Sequence, residues 1–94
     1  EEFGDAEGRH ATPSEGSLTY YGYPEDAERV AKAPMTPERA PLGEIYDAED
    51  YRRRFPDGRI GSDPSLATGE IGKRLLAGSA EELTAKYQAF LKED

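Results

Sequence analysis

The chain has 94 residues, a formal net charge of −8 and no cysteine, which excludes disulfide bonds and metal sites built on thiolates. Only fourteen residues are Leu, Ile, Val or Phe, and so small a share at this charge is typical of chains that struggle to fold unaided. The acidic excess argues against binding to nucleic acid or anionic lipid and favours a protein partner with a basic surface. No apolar run is long enough to span a bilayer.

The first seventeen residues are acidic and include a single large hydrophobe, Phe3. Segments of this composition are usually disordered unless another surface holds them. We therefore expect residues 1–17 to form an extended acidic tail, flexible or bound to a partner, and residues 18–94 to form a single small irregular helical domain. The chain begins at Glu1 without a methionine. That start fits the removal of a targeting segment, and so an organellar or exported protein, and it equally fits a trimmed sequence.

Residues 18–23 contain three tyrosines beside Leu and Thr, a composition that favours an extended segment. Pro24 suits the first position of a helix, which we expect to continue through residue 33. Several prolines follow, so residues 33–43 are predicted to be an extended or turn-rich connector.

The next predicted helix begins after Asp47, which is typical of an N-cap residue. Tyr46 and Tyr51 stand at the two positions of a hydrophobic staple, and the arginine run at 52–54 complements the negative end of the helix dipole. A proline and a glycine at 56–58 predict a turn that ends this helix.

Two further helices are predicted in the last third of the chain. Thr68 can cap the first of them, although the glycines at 69 and 72 weaken it. Gly78 is a natural stop, and Ser79 with Glu82 forms a capping box that predicts a second helix to about residue 92. We therefore expect a C-terminal helical hairpin. The whole fold is predicted to be mostly α with extensive coil, as several short helices joined by connectors rich in Pro and Gly.

Catalytic chemistry finds little support in this sequence. The only histidine, His10, lies in the acidic tail, where we expect it to be solvated. Acid–base chemistry by paired carboxylates needs a cleft that raises the pKa of one of them, and a chain with so few apolar residues is not expected to build such a cleft. We therefore predict no enzyme, no catalytic residue and no cofactor.

The turn after the arginine run resembles the middle of an EF-hand calcium loop over about seven residues. Aligning Gly58 with the loop glycine puts Arg53, Phe55 and Pro64 at ligand positions, where calcium requires oxygen donors. No metal site is predicted from this resemblance.

The residues best suited to contact a partner are aromatic, cationic or on the apolar stripe of the last helix. They are Tyr20, Tyr21, Tyr23, Arg52, Arg53, Arg54, Leu83, Tyr87, Phe90 and Leu91.

These features predict a non-catalytic accessory subunit that binds along the surface of a larger multi-subunit protein complex. Such a subunit would reach a membrane only through that partner. One alternative is an acidic regulator or inhibitor that occupies a basic groove. Another is a small autonomous helical domain.

Overall fold

The computed structural model describes residues 2–30, 33, 35–36 and 45–93. The α-helices in these ranges are α1 (Pro13–Gly22), α2 (Pro24–Arg29), α3 (Ala48–Arg54) and α4 (Gly69–Leu91), with short 3-10 helices at Gly4–Ala6 and Pro64–Leu66. Within the described ranges the β-pairing consists of an isolated antiparallel bridge between His10 and Ile60. The predicted mostly helical fold with extensive coil is confirmed. Most of the connector predicted at 33–43 lies outside the described residues.

Helix α1 occupies the segment for which the tyrosine-rich composition predicted an extended conformation. Thr12 accepts a hydrogen bond from the backbone N–H of Glu15, and the Glu15 side chain accepts one from the backbone N–H of Thr12. Pro13 stands at the first helical position. This complete capping box starts a helix that carries residues 18–22, so the extended prediction is wrong.

Helix α2 ends earlier than predicted, at Arg29, because Val30 adopts an extended backbone conformation. Helix α3 agrees with its prediction, since the Asp47 side chain accepts a hydrogen bond from the Asp50 N–H at 2.9 Å.

The last third of the chain forms one helix of 23 residues, α4, in place of the predicted hairpin. Its start agrees with the prediction, because the Thr68 hydroxyl accepts a hydrogen bond from the Ile71 N–H at 3.2 Å. Gly78 does not end the helix. A glycine inside a helix costs only about 1 kcal/mol relative to alanine, and the residues after it are mostly good helix formers. Ser79 is therefore an interior helical residue and not an N-cap.

Helices α1 and α4 cross with their backbones in close approach. A Cβ atom placed on Gly72 would lie 1.9 Å from the Ser17 carbonyl oxygen, and one on Gly16 would lie 2.9 Å from the Ala67 Cβ. Ser17 is fully buried at the crossing, and its hydroxyl accepts a hydrogen bond from the Thr68 N–H at 3.1 Å. Gly72, which weakens α4 as an isolated helix, is therefore a residue that lets α4 pack closely on α1.

The acidic N-terminal segment lies along residues 60–63. The Arg9 N–H donates to the Ile60 carbonyl at 2.7 Å, and the Asp63 N–H donates to the Ala6 carbonyl at 2.8 Å. A Cβ on Gly8 would lie 2.3 Å from the Gly61 carbonyl carbon. These contacts hold the segment on the rest of the chain, while its separation as a tail from a domain at 18–94 stays a prediction.

The interior is small, as the composition predicts. Phe55 and Ala67 are the buried hydrophobic residues of the described chain. In the same residues no helix combines the length and apolar character needed to cross a membrane.

Candidate functional site

A pocket of about 310 Å³ opens between the N-terminal segment, α3 and the loop that follows α3. This volume falls at the lower end of the range for small-molecule sites. Its lining consists of His10, Tyr51, Arg52, Phe55, Gly58 and Ile60.

Helix α3 supplies the aromatic wall of the pocket. The Tyr51 ring packs edge-on against Tyr46, with ring centroids 5.3 Å apart, and lies 6.1 Å from the Phe55 centroid. The predicted staple between Tyr46 and Tyr51 is therefore observed. The Arg54 guanidinium lies 4.2 Å from the centroid of the Tyr46 ring, so the aromatic cluster is covered by a cation. These packed aromatic rings give the pocket an apolar side.

The loop after α3 contributes Gly58 and Ile60 to the pocket lining, and Arg59 holds this loop through several hydrogen bonds. Its guanidinium donates to the Asp57 carboxylate at 2.7 Å, to the Ser62 carbonyl at 3.1 Å and to the Thr36 carbonyl at 2.8 Å. The hydrogen bonds from Arg59 lower the pKa of the Asp57 carboxyl, since they stabilise its charged form. Gly58 takes a positive φ of 83°, which glycine tolerates without strain.

His10 enters the pocket from the N-terminal segment. Its carbonyl accepts hydrogen bonds from the Ser62 hydroxyl at 2.6 Å and from the Ile60 N–H at 3.3 Å. The next residue, Ala11, has a φ of 53°, a left-handed conformation that is uncommon for alanine.

His10 is exposed to solvent, as expected, although its backbone is bonded to a segment fifty-two residues further along the chain. Two sequence signals could have revealed the order of this segment. One is the capping box that begins at Thr12, and the other is the pair of glycines at 8 and 61.

The residues proposed for partner contact lie on three separate parts of the fold. Tyr20, Tyr21 and Tyr23 lie at the end of α1, Arg52, Arg53 and Arg54 on α3, and Leu83, Tyr87, Phe90 and Leu91 on the last turns of α4.

Their surroundings differ. Arg52 lines the pocket, Arg53 forms an ion pair with Asp50, and Arg54 covers Tyr46. The four residues on α4 are each between 60% and 68% exposed. A role in partner binding for the whole set stays a prediction.

The described residues contain no group of three or more His, Asp or Glu side chains arranged to hold a metal ion.

The sequence model of the creatininase family, described as creatinine amidohydrolase, matches residues 1–87. No curated protein matches the chain. The family match overturns the prediction of a non-catalytic accessory subunit in a multi-subunit complex, and with it the prediction that the chain is not an enzyme. Composition reports how much apolar surface a chain can bury, whereas a few correctly placed residues decide whether it takes part in catalysis. The chain belongs to the creatininase family.

Proposed function

We propose that this chain takes part in the hydrolysis of a small cyclic amide of the creatinine type, with the substrate bound in the pocket beside His10. The match of the creatinine amidohydrolase family over residues 1–87 supports the reaction class. The pocket supports the location, because it brings the only histidine of the chain together with an arginine and two aromatic rings.

Hydrolysis of an amide needs a proton acceptor and a proton donor. Water attacks the carbonyl carbon and loses a proton, a tetrahedral oxyanion forms, and the ring C–N bond breaks as its nitrogen gains a proton. Imidazole is well suited to both transfers because it exchanges a proton near neutral pH. In this proposal His10 accepts the proton of the attacking water and returns it to the leaving nitrogen.

The oxyanion and the product carboxylate both carry negative charge, and Arg52 carries a permanent positive charge at the same pocket. The rings of Tyr51 and Phe55 offer apolar faces to a flat ring substrate. Arg52 would therefore stabilise the charge that develops during the reaction, while the aromatic wall orients the ring.

The test is creatinine hydrolysis by the full chain, followed as formation of creatine. His10→Gln keeps a polar side chain but removes the proton-transferring group, so we expect the rate constant kcat to fall by about 10²-fold or more. An unchanged rate in His10→Gln, or no hydrolysis by the unsubstituted chain, would overturn the proposal.

Neighbouring arginines on α3 provide a matched control for Arg52. Arg52→Gln should lower kcat/KM, since it removes a charge from the pocket lining. Arg53→Gln should leave kcat/KM unchanged, because Arg53 pairs with Asp50 and lies outside the lining. Equal losses in the two variants would show that the effect comes from net charge and not from the pocket.

A further inference from the structure

The structure assigns a positioning role to Ser62: its buried hydroxyl fixes the backbone of His10 at the pocket, and Arg59 holds Ser62 in place. This inference rests on the proposed function, since it explains how the proposed proton-transferring residue is held.

Ser62 is fully buried, and its hydroxyl donates to the His10 carbonyl at 2.6 Å. A buried hydroxyl is costly unless it makes a hydrogen bond, so this contact is a specific one. It joins two segments that no shared helix connects, because His10 precedes α1 and Ser62 follows α3. The hydroxyl therefore adds a side-chain hydrogen bond to the antiparallel bridge that pairs His10 with Ile60.

Neighbouring contacts make the attachment rigid. The Ile60 N–H donates to the same His10 carbonyl, and the Arg9 N–H donates to the Ile60 carbonyl. Ala11 keeps its left-handed backbone directly after His10. A non-glycine residue persists in that conformation only where its surroundings hold it, and such residues cluster at functional sites. His10 is thus bonded at its carbonyl and followed by a constrained turn.

Arg59 extends this support to the pocket wall. Its side chain is 17% exposed, and the same nitrogen that donates to the Thr36 carbonyl also donates to the Ser62 carbonyl. Arg59 stands between Gly58 and Ile60, which both line the pocket. One guanidinium therefore holds Ser62 and lies between two residues of the pocket lining.

The substitution Ser62→Ala tests the inference with a spectroscopic readout. His10 is the only histidine, so its ring Cε1–Hε1 signal in an NMR spectrum needs no further assignment. In the substrate-free chain we expect Ser62→Ala to move this signal at least halfway toward its position in urea-unfolded protein. Ser79→Ala, an exposed serine on α4, is the matched control and should leave the signal in place.

Steady-state kinetics give the second readout. Misplacing a reacting group slows the chemical step more than it weakens substrate binding. Ser62→Ala should therefore reduce kcat by about tenfold and change KM little. Ser62→Thr keeps the hydroxyl and should restore the His10 signal and most of kcat. A His10 signal that stays in place in Ser62→Ala, with kcat unchanged, would overturn the inference.

Circular dichroism at 222 nm verifies that each variant keeps its helices. If Ser62→Ala unfolds, Arg59→Gln decides the question by the same His10 signal, because it removes the support of Ser62 and keeps the hydroxyl. A His10 signal that stays in place in folded Arg59→Gln would then overturn the inference. The NMR comparison uses no substrate, so a failure of the unsubstituted chain to hydrolyse creatinine would overturn the proposed function and leave the positioning test intact.

Discussion

Gly8 and Gly61 lie in close contact where the N-terminal segment meets the loop that carries Ser62. Both residues have a positive φ, 67° at Gly8 and 72° at Gly61. A side chain at Gly8 would overlap the carbonyl group of Gly61 and the nitrogen of Ser62. Two requirements therefore meet at Gly8, a left-handed backbone and the absence of a Cβ atom.

Gly8→Ala is expected to destabilise the chain more than the same substitution at Gly58. Both positions have a positive φ, which costs an alanine about 1–2 kcal/mol. Only Gly8 also meets a clash, because nothing lies within 4 Å of a Cβ at Gly58. We expect the difference in the free energy of unfolding to be at least about 1 kcal/mol by urea denaturation. Equal losses at the two sites would contradict the close approach.

The pH dependence of stability should carry a contribution from Asp57. Hydrogen bonds from Arg59 lower the pKa of Asp57 from its ordinary value of 3.8 in the folded chain. Asp57 therefore stabilises the fold above pH 3.8, and this contribution is lost as the pH falls through the lower folded-state pKa. Asp57→Asn should lower the Tm at neutral pH, and the difference from the unsubstituted chain should shrink on acidification. A Tm difference that stays constant across the acid range would show that Arg59 stabilises the fold without Asp57.

At the scale of the helices, one crossing organises the fold. Helices α1 and α4 meet at Ser17 and Gly72, and a polar contact between the Ser17 hydroxyl and the Thr68 N–H sits at the same place. The first turn of α4 is therefore bonded to α1 as well as packed on it. The crossing also holds α1 in place, and α1 directly follows the segment that carries His10.

Alanine substitutions at two glycines of α4 distinguish the effect of helix propensity on stability from the effect of packing. Gly72→Ala should lower the free energy of unfolding by about 2 kcal/mol or more, because its Cβ would overlap the Ser17 carbonyl. Gly78→Ala should raise it by about 0.5–1 kcal/mol, because it improves helix propensity and its Cβ meets nothing within 4 Å. Thermal unfolding followed by circular dichroism measures both. The same sign for the two substitutions would contradict the crossing.

The helix starts were the most predictable features, and the reason is local chemistry. Asp47 and Thr68 cap their helices as the sequence indicates, since an N-cap needs only its own side chain and the next turn. The capping box at Thr12 is equally local, but the tyrosine composition of residues 18–23 outweighed it in the prediction. The stop expected at Gly78 failed because a single glycine is a weak signal when no turn follows.

The pocket could not be predicted by the same means. His10 and Ile60 are brought together by contacts between segments far apart in sequence, which are the antiparallel bridge between them and the bond from the Ser62 hydroxyl to the His10 carbonyl. No periodicity or cap reports such a pairing. The aromatic wall was partly foreseeable, because the staple between Tyr46 and Tyr51 is local, but the partner wall was not.

At the scale of the whole chain, the fold is elongated. The radius of gyration is 16.1 Å, whereas a compact protein of this length has about 12 Å. The last turns of α4 contribute to this shape, since every residue described from 76 to 93 is exposed. Stability is therefore expected to come from the part of the chain near α1 and the pocket, and not from the end of α4.

The same substitution, Phe→Ala, at two positions tests this distribution of stability along the chain. Phe55→Ala should lower the free energy of unfolding by about 3 kcal/mol, because Phe55 is buried beside the pocket. Phe90→Ala should change it by less than about 0.5 kcal/mol, because Phe90 is 65% exposed on α4. Urea unfolding at two protein concentrations measures both effects. A large loss in Phe90→Ala would contradict the prediction, and a loss that grows with concentration would show that the stripe on α4 is covered by a second copy of the chain in solution.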